Sequence, residues 1–410
     1  MAYQETTTTS YGQRLSGSFK GIASGFVMFI IGTVLLFWNE GRFVKTQKAL
    51  QEAESVLVKV SDVSTVDPSL NGKLIHASAF ADTKDVLTDG LFGVSETAIS
   101  ISRSVEYYQY MEKTHSTTKD KIGGGQETIT TYTYEPKWSS FPVNSNDFKD
   151  PDYKTSNFVL ADVKDQTERA KNVSFGGYNL PSFIISSISG SIPASANLNE
   201  EELKQWEKVI DDRRAALRME PRADLTQQVH VSGNVVYFGN STGAPSIGDV
   251  RVTLTKIMPA NISIIAKVNG STFEQFVASN GETVSRVSMG TVSSENMFAA
   301  AHSSNSTWTW ILRIIGVFLV IGGLKSMFGI VAAIFKVLPF LGNIIGAGVG
   351  LVCTIVGGAW ALIIIAIAWL FYRPLIGGAL LVVAIAGIWY LIQRGKTSKN
   401  AVEIPEKTEG

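Results

Sequence analysis

Residues 337–372 have the sequence VLPFLGNIIGAGVGLVCTIVGGAWALIIIAIAWLFY, which contains no charged side chain. About 20 consecutive apolar residues are enough to cross a bilayer as a helix. A segment this long and this apolar does not fit inside the core of a soluble protein. The sequence therefore predicts an integral membrane protein before any motif is considered.

The apolar residues are unevenly distributed along the rest of the chain. Hydrophobic residues make up 45% of the 410 residues, and they concentrate near residues 21–38 and 311–392. The formal net charge is zero, which gives no support to nucleic-acid binding. The single cysteine, Cys353, excludes an intramolecular disulfide. We expect apolar spans at both ends of the chain and a water-soluble middle.

The first apolar run follows a polar tail. Residues 1–20 are rich in threonine, and we predict a disordered cytoplasmic tail. Residues 21–38 are uncharged and follow Arg14 and Lys20, as the apolar centre of a signal peptide follows its charged front. The run is long for a signal peptide, and it ends without a small-residue cleavage motif. We therefore predict an uncleaved signal anchor, transmembrane helix 1.

The last third of the chain contains further apolar runs. We predict, in order, transmembrane helix 2 at 308–324, an interfacial segment at 325–341, transmembrane helix 3 at 342–372, transmembrane helix 4 at 374–392 and a cytoplasmic tail at 393–410. An alternative makes 327–345 an additional span. That span would bury Lys336 at mid-bilayer, at a cost of about 2.5–3.5 kcal/mol. We therefore favour four spans over five.

Basic residues near the spans predict the orientation. With four spans both termini share one side, and the basic residues near the spans on that side are Arg14, Lys20, Lys325, Lys336, Arg394, Lys396 and Lys399. The opposite side has fewer: Arg42, Lys45, Lys48 and Arg373, with Arg313 at the edge of its span. The positive-inside rule places both termini in the cytoplasm and residues 39–307 on the exoplasmic side. Arg313 follows Trp310, and we expect its side chain to extend to the headgroups.

The middle segment, residues 39–307, has the patterns of a large strand-rich α+β domain. Polar and apolar residues alternate at 99–107, 250–254 and 262–264. Three glycines at 123–125 precede the β-branched and aromatic run 128–134, which predicts a hairpin. One amphipathic helix is predicted near 203–217, with Asn199 as its N-cap. The fold class is thus a multi-span α-helical membrane protein with an exoplasmic α+β domain.

A row of small residues lies within the third predicted span. Gly342, Gly346, Gly350, Thr354 and Gly358 recur at a four-residue spacing, so they form one smooth ridge on a helix. Such ridges let helix backbones approach closely in lipid. The ridge is compatible with oligomerisation or with packing inside one bundle, and we favour the second. Either use makes these five residues the predicted helix-packing site.

Signals of enzymatic chemistry are absent from the sequence. The four histidines are scattered without metal-ligand spacing, and residues 123–125 lack the Lys-Ser/Thr of a phosphate loop. No Asp or Glu lies in a predicted span, which argues against an ion-coupled carrier. We predict no catalysis, cofactor, metal, nucleic acid or small-molecule substrate. An oligomeric pore lined by Asn343 and Thr354 remains the alternative to a scaffold.

Six strings occur in order along the chain. They are Phe37-Trp-Asn-Glu-Gly-Arg42, Gly72-Lys-Leu-Ile-His76, Arg103-Ser-Val-Glu-Tyr-Tyr-Gln-Tyr-Met-Glu112, Tyr134-Glu-Pro-Lys-Trp138, Gly248-Asp-Val-Arg-Val252 and Trp310-Ile-Leu-Arg313. Together with the layout of spans, these strings resemble the LUMA family, also called the transmembrane protein 43 family. Tyr107 and Tyr110 stand where that family usually has Met and Trp.

The resemblance identifies a set of signature positions: Asn39, Glu40, Gly41, Arg42, Arg103, Val105, Glu106, Tyr107, Gln109, Trp138, Gly248, Asp249, Arg251 and Arg313. We expect Arg103 and Glu106 to be paired on the exposed face of a strand whose Val105 and Tyr107 face the core. None of the signature positions is catalytic in the family.

The family resemblance also bears on function and location. It implies four spans, a lumenal or periplasmic domain and no known enzymatic activity. Animal members lie in the endoplasmic reticulum and nuclear envelope, whereas bacterial members would lie in the cell membrane. We predict a membrane scaffold whose partners are the lipid bilayer and either copies of itself or other membrane proteins.

Overall fold

A computed structural model describes residues 2–219, 227–375 and 377–379, together with Val382 and Ala386. Its contacts divide the chain into two units. We call residues 1–8, 49–119 and 127–300 the β unit, and residues 9–48, 120–126 and 301–410 the helical unit. The helices are α1 (Tyr11–Val56), α2 (Ser182–Ile185), α3 (Glu200–Ala216), α4 (Ser294–Phe335) and α5 (Pro339–Tyr372).

Two sheets and two strand pairs make up the described β structure. The first sheet has the order β1 (Tyr3–Thr9), β7 (Gln126–Ser139), β6 (Ser100–Asp120), β14 (Val250–Ile257), β13 (Val235–Phe238) and β12 (Val229–Ser232), with β8 (Gln166–Arg169) on β6 and β11 (Ile192–Pro193) on β14. The second has the order β10 (Tyr178–Asn179), β9 (Val173–Phe175), β3 (Leu74–Thr83), β15 (Ala260–Asn269) and β16 (Thr272–Glu274), with β2 (Val58–Lys59) on β3 and β19 (Arg286–Met289) on β15. The pairs are β4 (Val86–Asp89) with β5 (Val94–Thr97), and β17 (Phe276–Val277) with β18 (Thr283–Val284).

Alternating sequence sets the register of the first sheet. In the antiparallel pair of β6 and β14, Val105 lies opposite Val252 and Tyr107 lies opposite Val250. All four side chains are buried in one core, because alternate residues of a strand point to the same face. The strands predicted at 99–107 and 250–254 are confirmed.

The second sheet surrounds a separate apolar core. β15 pairs antiparallel with β3, with Ile264 opposite Ala77 and Ala266 opposite Ile75. These side chains are buried together with the rings of Phe175 and Tyr178. The strand predicted at 262–264 is confirmed, and it is longer than the sequence pattern indicated. Each sheet thus buries its own apolar face.

The predicted amphipathic helix is α3, and its first turn is capped as expected. The Asn199 side chain accepts hydrogen bonds from the backbone N–H groups of Glu201 and Glu202, at 2.9 and 3.0 Å. The Glu202 carboxylate in turn accepts from the Asn199 N–H, at 2.8 Å. This reciprocal pair is a capping box. Ile210 is fully buried in the core of the first sheet.

Glycines bring the long helices of the helical unit close together. A Cβ added to Gly25 of α1 would lie 2.6 Å from the carbonyl oxygen of Gly323 in α4. A Cβ on Gly357 of α5 would lie 2.8 Å from the Ile321 side chain. α1, α4 and α5 are each long and apolar enough to cross a membrane. Predicted spans 1, 2 and 3 fall within these three helices.

The N-terminal tail differs from its prediction. Residues 3–9 form β1 beside β7, and α1 begins at Tyr11, so the tail is not disordered. Gln4 donates a hydrogen bond to the Thr131 hydroxyl at 3.3 Å, and Tyr132 donates to Glu5 at 3.1 Å. The threonine run is β-branched and suits a strand, whereas its low hydrophobicity alone had indicated disorder.

The predicted interfacial segment 325–341 is also wrong. α4 continues to Phe335, and α5 begins at Pro339, so the helical pattern is interrupted only briefly. Proline is favoured in the first helical turn, where its missing N–H costs nothing. The same interruption rules out one continuous span at 327–345. Predicted helix 4 and the following tail lie outside the described residues, apart from the few named above.

The close approach of α1 and α4 makes Gly25→Ala a test of this packing. The added methyl would meet backbone atoms of α4, so we expect the helical unit to lose about 1–3 kcal/mol of stability. Gly17→Ala is the matched control in the same helix, because nothing lies within 4 Å of its Cβ position. We expect this control to be neutral or to stabilise α1 by up to about 1 kcal/mol. Thermal unfolding in detergent, followed by circular dichroism, checks both; equal melting temperatures would contradict the packing.

Candidate functional site

A buried ion pair joins two helices of the helical unit. The guanidinium of Arg313 in α4 donates from Nε and Nη2 to the two carboxylate oxygens of Glu40 in α1, at 2.6 and 2.9 Å. The Glu40 side chain is 1% exposed and that of Arg313 is 14% exposed. Paired contacts of this kind fix the relative orientation of both groups. The pair therefore sets the register of α1 against α4.

The third helix, α5, contributes to the same cluster. The indole Nε1 of Trp369 donates to Glu40 at 2.8 Å. The Arg313 guanidinium lies 4.8 Å from the ring centre of Trp310 and 5.8 Å from that of Trp369. Aromatic faces attract cations, so these rings stabilise the guanidinium beside the carboxylate. Glu40 and Arg313 thus link all three long helices.

A neighbouring set of hydrogen bonds extends the contact between α1 and α4. Arg42 donates to the side chains of Asn305 and Thr309, at 3.1 and 2.9 Å. Asn39 donates to the Thr309 carbonyl at 3.0 Å, and Asn305 donates to the Phe43 carbonyl at 3.1 Å. Asn39, Asn305 and Thr309 are buried, and a buried polar group is costly unless it is hydrogen-bonded. These bonds satisfy them.

The C-terminal end of α5 packs on α1 through aromatic and cationic side chains. The Arg373 guanidinium lies 4.6 Å from the ring centre of Phe43. A Cβ added to Gly41 would lie 2.6 Å from the Tyr372 ring, so a larger residue there would displace this tyrosine side chain. The whole set comprises one carboxylate and three guanidinium groups, and we call it the arginine cluster: Asn39, Glu40, Arg42, Asn305, Thr309, Arg313, Trp369 and Arg373.

Sequence reasoning found four members of the arginine cluster but missed their pairing and the other four members, which are Asn305, Thr309, Trp369 and Arg373. Asn39, Glu40, Gly41, Arg42 and Arg313 were signature positions, yet Arg313 was expected to reach the headgroups. The structure turns it inward onto Glu40 instead. The two residues are 273 positions apart, so no local pattern could connect them. A carboxylate placed directly after one apolar run and an arginine within another were the available signal.

In the β unit the signature position Arg103 is buried rather than exposed. Its guanidinium donates to both oxygens of Asp89, at 2.7 and 2.8 Å, and to the carbonyl of Lys164 at 2.8 Å. The expected pairing of Arg103 with Glu106 is wrong. Residues three apart on a strand point to opposite faces, which the prediction overlooked. The placement of Val105 and Tyr107 in the core is confirmed.

Glu106 lies on the opposite face of β6 and binds a different arginine. Arg251 of β14 donates to Glu106 from Nε and Nη2, at 2.9 and 2.7 Å. The same guanidinium lies 4.3 Å from the ring centre of Trp138. The register of β6 and β14 places Glu106 directly opposite Arg251. Three signature positions therefore form one cross-strand cluster.

Other signature residues connect loops to the first sheet through hydrogen bonds and close packing. Gln109 donates to the Phe158 carbonyl at 3.1 Å and accepts from the Val143 N–H at 2.6 Å. Tyr107 donates to the Val163 carbonyl at 2.5 Å. Gly248 has a φ of +95°, and an added Cβ would overlap the Phe158 ring. These contacts are structural, and none of them arranges a nucleophile beside a base.

Asp249 is the most buried titratable signature residue of the β unit. Its carboxylate accepts hydrogen bonds from the Tyr237 hydroxyl and from the Ser246 N–H. Burial raises the pKa of Asp249 above its usual range, because it disfavours the charged form, although these hydrogen bonds act in the opposite direction. Burial also raises the pKa of Tyr237. Within the described part of the chain, no group of three or more His, Cys, Asp or Glu side chains could hold a metal ion.

The predicted glycine ridge lies on α5, and its two ends differ. Gly342 is buried against Lys336, and a Cβ on Gly346 would touch Ala332 at 3.4 Å. At Gly350 and Gly358 nothing among the described residues lies within 4 Å of an added Cβ. The Thr354 hydroxyl between them donates to the Gly350 carbonyl at 2.8 Å. Counting only the part of the chain that the structure describes, the ridge is uncovered from Gly350 to Gly358.

Comparison with known proteins extends the sequence resemblance. A family model described as "Transmembrane protein 43" matches residues 107–374. The chain is similar to "Transmembrane protein 43" of Pongo abelii, with 27% identity over 404 residues covering 95% of this chain and 94% of the relative. It is 28% identical over 373 residues to the protein of that name from Rattus norvegicus, covering 88% and 87% of the two chains. The "Transmembrane protein 43 homolog" of Drosophila melanogaster is 24% identical over 383 residues, covering 89% and 93%. No solved structure matches the chain.

The buried ion pair predicts strong coupling between Glu40 and Arg313. Glu40→Gln leaves the Arg313 charge in the cluster without its carboxylate, and we expect a loss of about 3–5 kcal/mol. Arg313→Gln should cost a similar amount, and the double substitution should cost less than the sum of the two. Unfolding of the protein in mixed micelles by increasing SDS measures all three free energies.

Lys48→Gln provides the control for charge removal, because Lys48 is an exposed cation on the same helix. We expect its stability to match that of the unmodified protein. Additive effects of Glu40→Gln and Arg313→Gln would show that the two side chains do not interact.

Proposed function

We propose a scaffold function for this chain, which belongs to the transmembrane protein 43 family and is an integral membrane protein. In this proposal the helical unit associates with further copies of itself in the membrane plane, and the β unit provides a surface for partner proteins. The chain carries out no catalysis. The open part of the glycine ridge is the observation that carries this proposal.

The ridge has the properties that favour helix association in lipid. Apolar burial gives little net gain there, so helices associate where small residues allow close backbone contact. Gly350 and Gly358 have no described neighbour that would meet an added Cβ. The only side-chain hydroxyl between them is internally hydrogen-bonded, so the ridge needs no water. A second α5 could therefore approach along this face.

Packing inside the helical unit uses other glycines. Gly357 contacts Ile321, and Gly25 contacts Gly323, whereas the ridge residues Gly350 and Gly358 take no part in these contacts. The sequence alone favoured packing within one bundle for the ridge. The distribution of contacts supports association for residues 350–358, while Gly342 and Gly346 pack within the chain.

A rigid framework supports the same function. The arginine cluster joins α1, α4 and α5 through charged groups buried between them. Such contacts already fix the orientation of α5. Binding a partner through its outer face therefore costs no further entropy for ordering this helix. A preorganised α5 ridge is what a protein needs if it positions partners in the membrane plane.

We further propose that the N-terminal end of α1 faces the cytoplasm. The cations Arg14, Lys20 and Lys336 lie at this end of the apolar runs, and cytoplasmic segments carry an excess of such residues. The part of the β unit that follows α1 in the sequence comes after the opposite end of this apolar run, so we propose that it lies on the exoplasmic side, except near residues 120–126; β1 precedes α1. The compartment is the cell membrane in a bacterium, or the endoplasmic reticulum and nuclear envelope in a eukaryote.

The turn between β6 and β7, residues 120–126, belongs to the helical unit and not to the β unit. The side of the membrane on which it lies therefore follows from its own contacts. Asp120 lies 2.8 Å from an Arg14 nitrogen and 3.0 Å from the Lys336 nitrogen. The turn therefore shares the side on which these cations lie. Since lipid does not tolerate an exposed strand edge, we expect protein or water to surround the strands that lead to it.

Self-association can be tested by filling the ridge. Gly358→Leu and Gly350→Leu add side chains where a second helix would lie, and we expect each to raise the dissociation constant by roughly tenfold. Gly348→Leu is the control with the same added volume, since its Cβ position is also open but lies off the ridge. Sedimentation equilibrium in density-matched detergent measures the assembly.

The same samples separate a scaffold from a pore. The purified protein in liposomes should not release an entrapped ion-sensitive dye. A monomeric native protein would contradict self-association, and dye release that disappears in Gly358→Leu would identify a pore instead.

The proposed orientation can be tested by labelling single cysteines in a Cys353→Ala background. We expect Ser241→Cys, on an exposed loop of the β unit, to react with a membrane-impermeant maleimide from the exoplasmic side. Ile122→Cys, on the exposed turn, should react from the same side as a tag at the N-terminus. Labelling of both cysteines from one side would contradict either the orientation or the contacts of Asp120.

A further inference from the structure

A second charged region of the helical unit surrounds a cavity. Its volume is about 420 Å³. It lies between the start of α1, the end of α4 and the first residue of β7. The lining residues are Thr9, Gln13, Arg14, Gly17, Ser18, Gln126, Gly329, Ala332, Ala333 and Lys336. The only charged side chains among them are the two cations, Arg14 and Lys336.

One carboxylate organises these two cations without lining the cavity. Asp120 contacts both Arg14 and Lys336, at 2.8 and 3.0 Å, and its side chain is only 12% exposed. Two cations and one carboxylate leave this group with a net positive charge, and Asp120 is not among the lining residues. Cations held in place in this way lose less entropy when an anion binds.

The hydrogen bonds of Arg14 leave part of its guanidinium available. Nη1 contacts Asp120 and donates to the carbonyls of Gly124 and Gly125, at 3.1 and 3.4 Å. Among the residues that the structure describes, none accepts a hydrogen bond from Nε or Nη2 of Arg14. These two N–H groups form the fork that binds phosphate oxygens in a bidentate manner.

The other residues that line the cavity suit a lipid headgroup at the boundary between the polar layer and the hydrocarbon layer of a membrane. The side-chain amides of Gln13 and Gln126 offer N–H donors, whereas the Ser18 hydroxyl already donates to the Arg14 carbonyl at 2.9 Å. Glycine and alanine leave room for the ligand. The apolar run of α1 begins at Gly21, seven positions after Arg14, and α4 ends directly before Lys336. The cavity thus lies where an apolar helix surface meets polar sequence. Basic pockets between membrane helices at this depth bind anionic headgroups.

We propose that this cavity binds the phosphate group of an anionic phospholipid headgroup. Arg14 and Lys336 contact the phosphate, and Asp120 positions the two cations. The acyl chains lie against the apolar surfaces of α1 and α4. The proposal is independent of self-association through the α5 ridge.

Binding of phosphatidylglycerol tests the site. The full-length protein in neutral detergent is titrated with this lipid, and bound lipid is counted by native mass spectrometry. We expect Arg14→Gln and Lys336→Gln each to weaken binding about tenfold, as the loss of one charge-assisted contact does. Lys325→Gln removes the same charge from an exposed position of α4 outside the cavity, and should bind as the native protein does.

A cavity-filling variant keeps the test valid if a charge variant misfolds. Gly329 lines the cavity, and nothing lies within 4 Å of its Cβ position, so Gly329→Leu occupies the space while both cations remain. We expect this variant to keep its circular dichroism spectrum and its assembly size and to lose lipid binding. Native affinity in both Gly329→Leu and Arg14→Gln would overturn the proposal.

Two further titrations distinguish the source of the phosphate. Phosphatidylcholine, which is zwitterionic, should bind more weakly than phosphatidylglycerol, and inorganic phosphate should not displace the bound lipid. Displacement by inorganic phosphate at equal concentration would assign the cavity to a free phosphate and overturn the headgroup assignment.

Discussion

A charge pair at the edge of hydrocarbon can exist only where protein excludes lipid from it, and the helical unit depends on this constraint. Glu40 follows the apolar run of α1, and Arg313 interrupts the apolar run of α4. An isolated charge in hydrocarbon costs several kcal/mol. Their bidentate contact lowers this cost only if α1 and α4 lie close together. The glycine contact between Gly25 and Gly323 provides that proximity, at 2.6 Å for an added Cβ. The charged pair therefore depends on the small residues that let the two helices approach.

The signature residues of the β unit meet a related requirement in water. Arg103 is buried beside Asp89, and Glu106 on the opposite face binds Arg251 under the Trp138 ring. β6 thus has a charged side chain, paired with an opposite charge, on each of its two faces. Breaking the buried pair of Arg103 and Asp89 would leave an uncompensated charge, so these two positions tolerate little change. The pair of Glu106 and Arg251 is about one third exposed, so water screens it. The resemblance to the family consequently reflects packing of the sheet, and it says little about chemistry.

Local patterns predicted the long helices and several of the long strands, but few of the contacts between them. Alternation identified β6, β14 and β15, and Asn199 identified the start of α3, because these signals act over a few residues. Uninterrupted hydrophobicity similarly located α1, α4 and α5. The arginine cluster and the contacts of Asp120 could not be predicted, since each joins residues separated by 100 positions or more. Composition also misled at residues 3–9, where a polar threonine run pairs as a strand with β7.

Both charged regions of the helical unit follow one electrostatic pattern. In the arginine cluster a single carboxylate, Glu40, lies among three guanidinium groups, and around the cavity Asp120 holds Arg14 and Lys336. In each case the carboxylate is mostly buried and the cations outnumber it. The acid orders the cations, and the group keeps a net positive charge. Such an arrangement suits a membrane protein, because an excess of ordered cations attracts lipid phosphates.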